Sequence, residues 1–159
     1  MSACVVYDSH FGNTERLAQA IADTLCTYGP ATALRLDPMH PVSLQGIDLL
    51  VVGCPTQGFR ATPAMTALLN RISPARQRHL AVACFDTRFR GWLWRRSAAV
   101  AMARQLQKHG VELLVPPESF LVKALKKEGP LLPGELERAH AWAHLLAEAL
   151  EAVEPVLYW

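Results

Sequence analysis

The sequence predicts an α/β fold, a three-layer doubly wound protein with one parallel five-stranded sheet in the order 2-1-3-4-5. Short apolar runs alternate along the chain with segments whose apolar residues recur at helical spacing. The predicted strands are apolar on both faces, as parallel strands covered by helices must be. No internal repeat or low-complexity linker interrupts the alternation, so we expect residues 1–159 to form a single domain.

The first half of the chain predicts three strands and one helix. Residues 3–7 are a short, β-branched apolar run, which is typical of a buried strand. A helix follows, ended by Gly29, and its apolar residues stand three or four apart. A weaker strand at residues 32–36 precedes the most apolar strand of the chain, at residues 49–53.

The second half continues the alternation of helix and strand. A helix begins at Thr62 and Pro63, where a hydroxyl can cap it and proline suits the first turn, and it runs to about residue 71. The remaining elements are a strand at 80–85, a helix at 97–108, a strand at 111–115 that can resume at 120–122, and a helix at 135–151.

The composition is that of a globular protein without a nucleic-acid or membrane partner. Hydrophobic residues make up 51% of the chain, and the formal net charge is only +2. No run approaches the ~18 uncharged apolar residues that a membrane span needs. The N-terminus lacks the basic and apolar segments of a signal peptide, so we expect a cytoplasmic location. The four cysteines form no C-x-x-C pair, and no metal site is predicted.

Three loops are the candidate binding site, because ligands of such sheets bind beyond the carboxyl ends of the strands. They are residues 8–14, 54–62 and 86–96. The first contains SHFGNT and joins a strand to a helix N-terminus, whose first N–H groups have no helical partners and attract anions. Gly12 lets a ligand approach the backbone, while Ser9 and Thr14 supply hydroxyls.

Other phosphate loops are excluded by their motifs. The P-loop pattern GxxxxGK[ST] and the dinucleotide pattern GxGxxG are both absent. The acid cluster of a receiver domain is absent too. SHFGNT contains no lysine or arginine, so a phosphate there would be bound by neutral donors.

The sequence SHFGNT followed by ERLA resembles the flavodoxin phosphate loop, [ST]-x-x-G-x-T. VGCPTQG at residues 52–58 is similar to the second flavin loop of bacterial flavodoxin-like proteins. FDTR at 85–88 and the stretch at 128–139 resemble a short branch of the same family. The resemblance covers nearly the whole chain, and it implies the flavodoxin-like fold with FMN as the cofactor.

The resemblance also implies which residues contact FMN. Hydroxyls and backbone N–H groups of the first loop would bind the phosphate, and the other two loops would meet the ring. The implied ligands are Ser9, His10, Phe11, Gly12, Asn13, Thr14, Pro55, Thr56, Gln57, Gly58, Phe59, Asp86, Thr87, Arg88 and Trp92.

For Gly58 and for Arg88, two alternative roles are possible. Gly58 either permits a peptide flip toward flavin N5–H, as in family flavodoxins, or only turns the loop. Arg88 either stabilises the anionic reduced flavin near N1 or is solvated or paired with Asp86. An aromatic side chain should stack on the ring. The candidates are Phe59, Phe89, Trp92 and Trp94.

The sequence fits two main functions, an electron carrier and a reductase, and no catalytic residue is predicted. The short chain, without an obvious general acid or nucleophile, favours an electron carrier that serves redox partner proteins. The basic residues could attract either an acidic protein partner or an anionic nicotinamide cofactor. Phe11 stands where many flavodoxins carry a hydroxyl, and the rim contains Arg60, Arg88 and Arg90. These residues favour the alternative, an NAD(P)H-dependent quinone or FMN reductase. A flavin-free binding domain is a third reading, against which the intact phosphate loop argues. We expect the carrier.

Overall fold

The fold alternates strands and helices along the whole described chain. The structure is a computed structural model that describes residues 1–58, 60–90, 96–123 and 129–153. Within these ranges the elements are β1 (Ala3–Tyr7), α1 (Asn13–Leu25), β2 (Ala31–Arg35), β3 (Leu49–Pro55), α2 (Pro63–Leu69), β4 (Ala81–Phe89), α3 (Ala98–Lys108), β5 (Glu118–Val122) and α4 (Glu135–Val153).

The five strands form one parallel sheet in the order β2-β1-β3-β4-β5, which confirms the predicted fold class. At the centre of the sheet, Val5 of β1 lies opposite Ala33 of β2 and Val51 of β3. The direction of winding reverses between β1 and β3. Such a switch point opens a crevice at the carboxyl ends of these strands, where ligands bind in sheets of this type.

Helices cover both faces of the sheet. Val5 and Val51 pack in a cluster with α1 and α4, while Val6 and Val52 pack in the cluster with α2 and α3. These four side chains have no exposed surface, because neighbouring positions on a strand point to opposite faces and both faces are covered. Edge strand β2 is only partly buried.

An aromatic cluster fills the core beneath α4. The ring centroids of Phe85 and Phe120 lie 5.9 Å apart, and that of Trp142 lies 6.0 Å from Phe85, all with edge-to-face geometry. A Cβ atom on Gly53 would overlap the Phe85 ring, so glycine at this position lets the ring lie against β3. Trp142 is buried, as its place in this cluster requires.

The last strand differs from the prediction. Residues 111–115 form only one bridge to the sheet, between Leu113 and Val82, and the strand is Glu118–Val122 instead. Pro116 and Pro117 follow the bridge, and proline has no N–H to continue a ladder. Residues 120–122, where the predicted strand could resume, are therefore the end of β5.

The fourth strand is longer than predicted. It continues four residues past Phe85, so the third candidate loop, 86–96, begins inside β4. Asp86 and Thr87 pair with Ser119 and Phe120 of β5. Because Asp86 is an acidic residue, the apolar pattern stops at Phe85, and the predicted strand therefore ends before the real one.

Helices α1, α2 and α3 start soon after β1, β3 and β4, so their N-termini gather at the carboxyl edge of the sheet. None of the helices described is long and apolar enough to cross a membrane.

Candidate functional site

A cavity of about 710 Å³ opens at the carboxyl edge of the sheet. Its size lies within the ~300–1,000 Å³ range of small-molecule sites. It brings together residues from all three candidate loops and from β5. The lining residues are Ser9, His10, Phe11, Asn13, Thr14, Pro55, Thr56, Gln57, Gly58, Thr87, Arg88, Phe89 and Val122. Gly12 and Asp86 do not line it, and Phe59, Trp92 and Trp94 lie outside the described residues.

The N-terminus of α1 is open toward this cavity. Its N-cap residue is Gly12, in the left-handed conformation with φ +88°, and no side chain caps the helix. By contrast, Thr62 caps α2 and Ser97 caps α3. The first-turn N–H groups of residues 13–15 have no partner in the part of the chain that the structure describes. They are free to bind an anion, which the helix dipole favours.

Ser9 is held in place below these N–H groups. Its hydroxyl accepts a hydrogen bond from the N–H of Gly12 at 3.1 Å, and the side chain is buried. The guanidinium of Arg35 donates to the carbonyl oxygen of Ser9 at 2.6 Å. Arg35 thus brings a positive charge beneath a loop that has none of its own. Sequence reasoning missed it, although β2 pairing with β1 places residue 35 beside Tyr7.

The hydroxyls of Thr14 and Thr87 are 3.1 Å apart, and both side chains are buried. One donates to the other, so the donating oxygen keeps both lone pairs as acceptors and the accepting hydroxyl keeps its own hydrogen to donate. The pair connects the first turn of α1 to β4. It thereby fixes the first loop relative to the third.

Asn13 connects the first loop to a fourth segment. Its side-chain amide donates to the carbonyl oxygen of Gly129 at 2.6 Å. A Cβ at residue 129 would overlap the carbonyl oxygen of Lys123, so only glycine fits this close approach. The side chain of Asn13 therefore serves the loop contact, and its N–H remains for a ligand.

The second loop contains a tight turn. Gln57 and Arg60 exchange both backbone hydrogen bonds, at 3.0 and 2.9 Å, with two residues between them. Gly58, the first of the two, has φ +53°, and a Cβ there would meet nothing within 4 Å. Glycine is therefore needed at this position for its backbone conformation and not for space.

Thr56 and Asp86 serve the start of α3. The Thr56 hydroxyl accepts from the N–H of Ala98 at 2.9 Å and donates to Asp86 at 3.1 Å. The same carboxylate oxygen accepts from the N–H of Ala99 at 2.8 Å. Burial raises the pKa of Asp86, and these hydrogen bonds oppose the rise. The Asp86 side chain thus anchors α3 and does not face the cavity. It also forms no ion pair with Arg88 among the described contacts.

Arg88 has an unsatisfied donor at the cavity. Its Nε is buried and has no hydrogen-bond partner in the described part of the chain. A buried guanidinium donor without a partner is costly, so a ligand that accepts from Nε would remove the cost. Phe11 and Phe89 also line the cavity and are 48% and 63% exposed, which leaves apolar faces free for a planar ring.

Other chemically notable side chains lie elsewhere or are inert. Burial raises the pKa of the Cys54 thiol to about 12, so it is not an activated nucleophile. His140 contacts α1 and His144 contacts the turn after it, with their Nδ1 atoms 2.6 Å from the Thr24 hydroxyl and 2.5 Å from the Tyr28 hydroxyl. No cluster of metal-ligating side chains occurs in the ranges that the structure covers.

The donor set fits a phosphate monoester attached to a planar, largely apolar ring. Open N–H groups of α1 and buried hydroxyls would hold the phosphate at one end. A ring elsewhere in the cavity would meet the guanidinium of Arg88 and the ring faces of Phe11 and Phe89.

Comparison with known proteins identifies the family and the fold. The Flavodoxin family profile matches residues 5–142. Flavodoxin 2 from Bacillus cereus superposes with a TM-score of 0.71 at 21% identity, over 93% of this chain and 99% of that one. A flavodoxin from the domain Archaea gives a TM-score of 0.66 at 18% identity, over 95% and 99% of the two chains.

A larger protein contains the same fold. Rubredoxin oxygen:oxidoreductase from Desulfovibrio gigas superposes with a TM-score of 0.75 at 20% identity, over 95% of this chain. This chain spans 36% of that protein's length.

Proposed function

The chain belongs to the flavodoxin family, and we propose that it binds FMN in the 710 Å³ cavity and carries electrons between protein partners. The observation that carries this proposal is the open N-terminus of α1 next to the buried hydroxyls of Ser9 and Thr14. The family implies a flavin, and this donor set favours the phosphorylated form. Neutral donors can bind a phosphate monoester without a nearby lysine.

Residues of this chain would hold the cofactor in place and adjust its redox potential. FMN, when bound, supplies the capacity to accept and release electrons one at a time. Arg88 places a fixed positive charge at the cavity, which favours negative charge on the reduced ring. The turn at Gly58 offers a peptide whose carbonyl can face the ring, because glycine allows both orientations at little cost.

A reductase that uses NAD(P)H is the second candidate. It is favoured by Phe11, which projects an apolar face at the cavity where many flavodoxins carry a hydroxyl, and by the arginine-rich rim. Against it, the described lining of the cavity contains no carboxyl, thiol or lysine side chain, so His10 is the one candidate there for a general acid or base. The carrier is therefore preferred.

We also propose a cytoplasmic location. The four cysteines are free thiols, and three of them are buried. This pattern is typical of proteins kept in a reducing compartment.

The test is a stepwise anaerobic reduction of the FMN-loaded protein, followed by absorption. For a carrier we expect a one-electron-reduced flavin to accumulate, with a long-wavelength band that persists. Direct conversion to the two-electron form by NAD(P)H alone would support the reductase. Failure to take up FMN would contradict both candidates.

A further inference from the structure

A second, smaller cavity of about 260 Å³ lies beside the cofactor cavity, and Gly58 lines both. Three arginines surround it: Arg60 from the second loop, Arg96 just before α3, and Arg104 on α3. All three are exposed. None of the described residues that line this cavity is acidic, and none of the ion pairs found within the described ranges involves these arginines. We call these residues the arginine triad.

The backbone N–H groups of the first turn of α3 are not available to a ligand in this cavity. The N–H groups of Ala98, Ala99 and Val100 already donate to Thr56, Asp86 and Ser97, at 2.9, 2.8 and 3.3 Å. Unlike α1, α3 therefore has no free first-turn N–H groups with which to enclose a phosphate.

We propose that the arginine triad docks the carboxylates of an acidic redox partner protein at the edge of the cofactor cavity. This inference rests on the proposed carrier function, and it identifies the chemistry of the partner. A guanidinium binds a carboxylate with two parallel hydrogen bonds, and three exposed arginines of one sign attract an acidic surface from a distance. Because Gly58 is shared, a partner held by the triad lies directly beside the ring end of the cavity.

A nucleotide phosphate is a poorer match for this cavity than a protein surface. The volume is below the ~300 Å³ at which small-molecule pockets begin, and all three cationic side chains are exposed. Phosphate sites in proteins commonly use backbone N–H groups at a helix N-terminus. Here the first-turn N–H groups of α3 already donate to side chains of the protein. Exposed, mobile charges are typical of a salt-sensitive contact between two proteins.

The test uses the FMN-loaded protein and an oligo-aspartate peptide as the probe. Amide shifts in ¹H–¹⁵N spectra should change at Arg60 and around residues 96–104, and the affinity should fall at least ~10-fold between low salt and about 0.3 M salt. Reversing all three charges, with Arg60→Glu, Arg96→Glu and Arg104→Glu together, should weaken binding of the probe at least ~10-fold.

A matched control reverses three exposed arginines at the other end of the molecule. Arg71, Arg76 and Arg78 lie between α2 and β4, at the amino edge of the sheet. Changing them together to Glu alters the net charge equally, and we expect less than ~3-fold weakening of probe binding.

Three outcomes would overturn the proposal. They are equal losses in both triple variants, no shift at the triad with the peptide, and tighter binding of NADP⁺ than of the peptide at the same residues. The reduction titration is run on the same samples, and the peptide binds without electron transfer. A protein that fails as a carrier is thus distinguished from one that lacks the acidic docking site.

Discussion

The hydroxyls of Thr14 and Thr87 lie 3.1 Å apart, and both residues line the 710 Å³ cavity. One belongs to the first turn of α1 and the other to β4, so this contact joins the loop that we propose to bind phosphate to the strand that leads into the third loop. Both side chains are buried, which makes the pair rigid and expensive to break.

Thr14→Val removes the hydroxyl while keeping the shape of the side chain. A buried hydroxyl that bonds a charged group contributes about 1.5–3 kcal/mol, so we expect FMN affinity to fall at least ~10-fold. The affinity for riboflavin, which lacks the phosphate, should change little. Thr14→Ser, which keeps the hydroxyl, is the control. Flavin fluorescence titrations measure both ligands, and equal losses for FMN and riboflavin would show that Thr14 does not serve the phosphate.

Gly12→Ala should weaken FMN through the backbone alone. Gly12 has φ +88° and open space around its Cβ position, so alanine introduces strain of about 1–2 kcal/mol without a clash. Gly46→Ala is a matched control, because Gly46 has φ +73° and equally open surroundings in the turn before β3. We expect similar losses of unfolding free energy in the two variants, and weaker FMN binding only in Gly12→Ala. Unchanged FMN binding in Gly12→Ala would contradict the role of the open α1 start.

Arg88→Glu should lower the potential of the second electron added to the flavin. A negative charge in place of the guanidinium disfavours the anionic reduced ring, by an amount on the order of tens of millivolts. Arg71→Glu makes the same change of charge at the amino edge of the sheet. The nine residues of β4 span about 30 Å at ~3.3 Å each, well beyond the Debye length, so the control should leave the potential nearly unchanged. A redox titration showing equal shifts would place Arg88 away from the flavin.

Asp86→Asn should flatten the dependence of stability on pH. Burial raises the pKa of Asp86 above its ordinary value of 3.8, so the folded protein retains a proton that the unfolded chain releases. The associated stability is present below pH 3.8 and is lost as pH rises through the raised pKa. Urea unfolding between pH 4 and 7 should therefore show a steeper loss for the wild-type protein than for Asp86→Asn. Parallel curves would mean that Asp86 has the same pKa in both states.

The parts of the fold that follow from periodicity were predictable from the sequence. Buried strands such as β1 and β3 are continuous apolar runs, and the Thr62–Pro63 start of α2 carries its cap in the sequence. The strand order followed from the parallel βα pattern. β5 was misplaced because its pairing depends on two prolines and on the length of β4, which are properties of the sheet and not of the segment.

The site was predictable where a local motif carries the chemistry. The loop SHFGNT does so, and the structure places Ser9 and Thr14 in the cavity. Contacts between distant segments were not predictable. Arg35 reaches Ser9 through strand pairing, and Asn13 reaches Gly129 across 116 positions of sequence. Nor did the sequence indicate that the Asp86 carboxyl group accepts from the N–H of Ala99 at the start of α3.

The most direct measurement is the ratio of the FMN and riboflavin dissociation constants for the wild-type protein. The two ligands share the same ring and differ at the phosphate, which the open start of α1 and the buried hydroxyls are expected to bind. We expect FMN to bind at least ~100-fold more tightly, which corresponds to about 2.7 kcal/mol. Equal dissociation constants, or no binding of FMN, would contradict the central claim that this loop is a phosphate site.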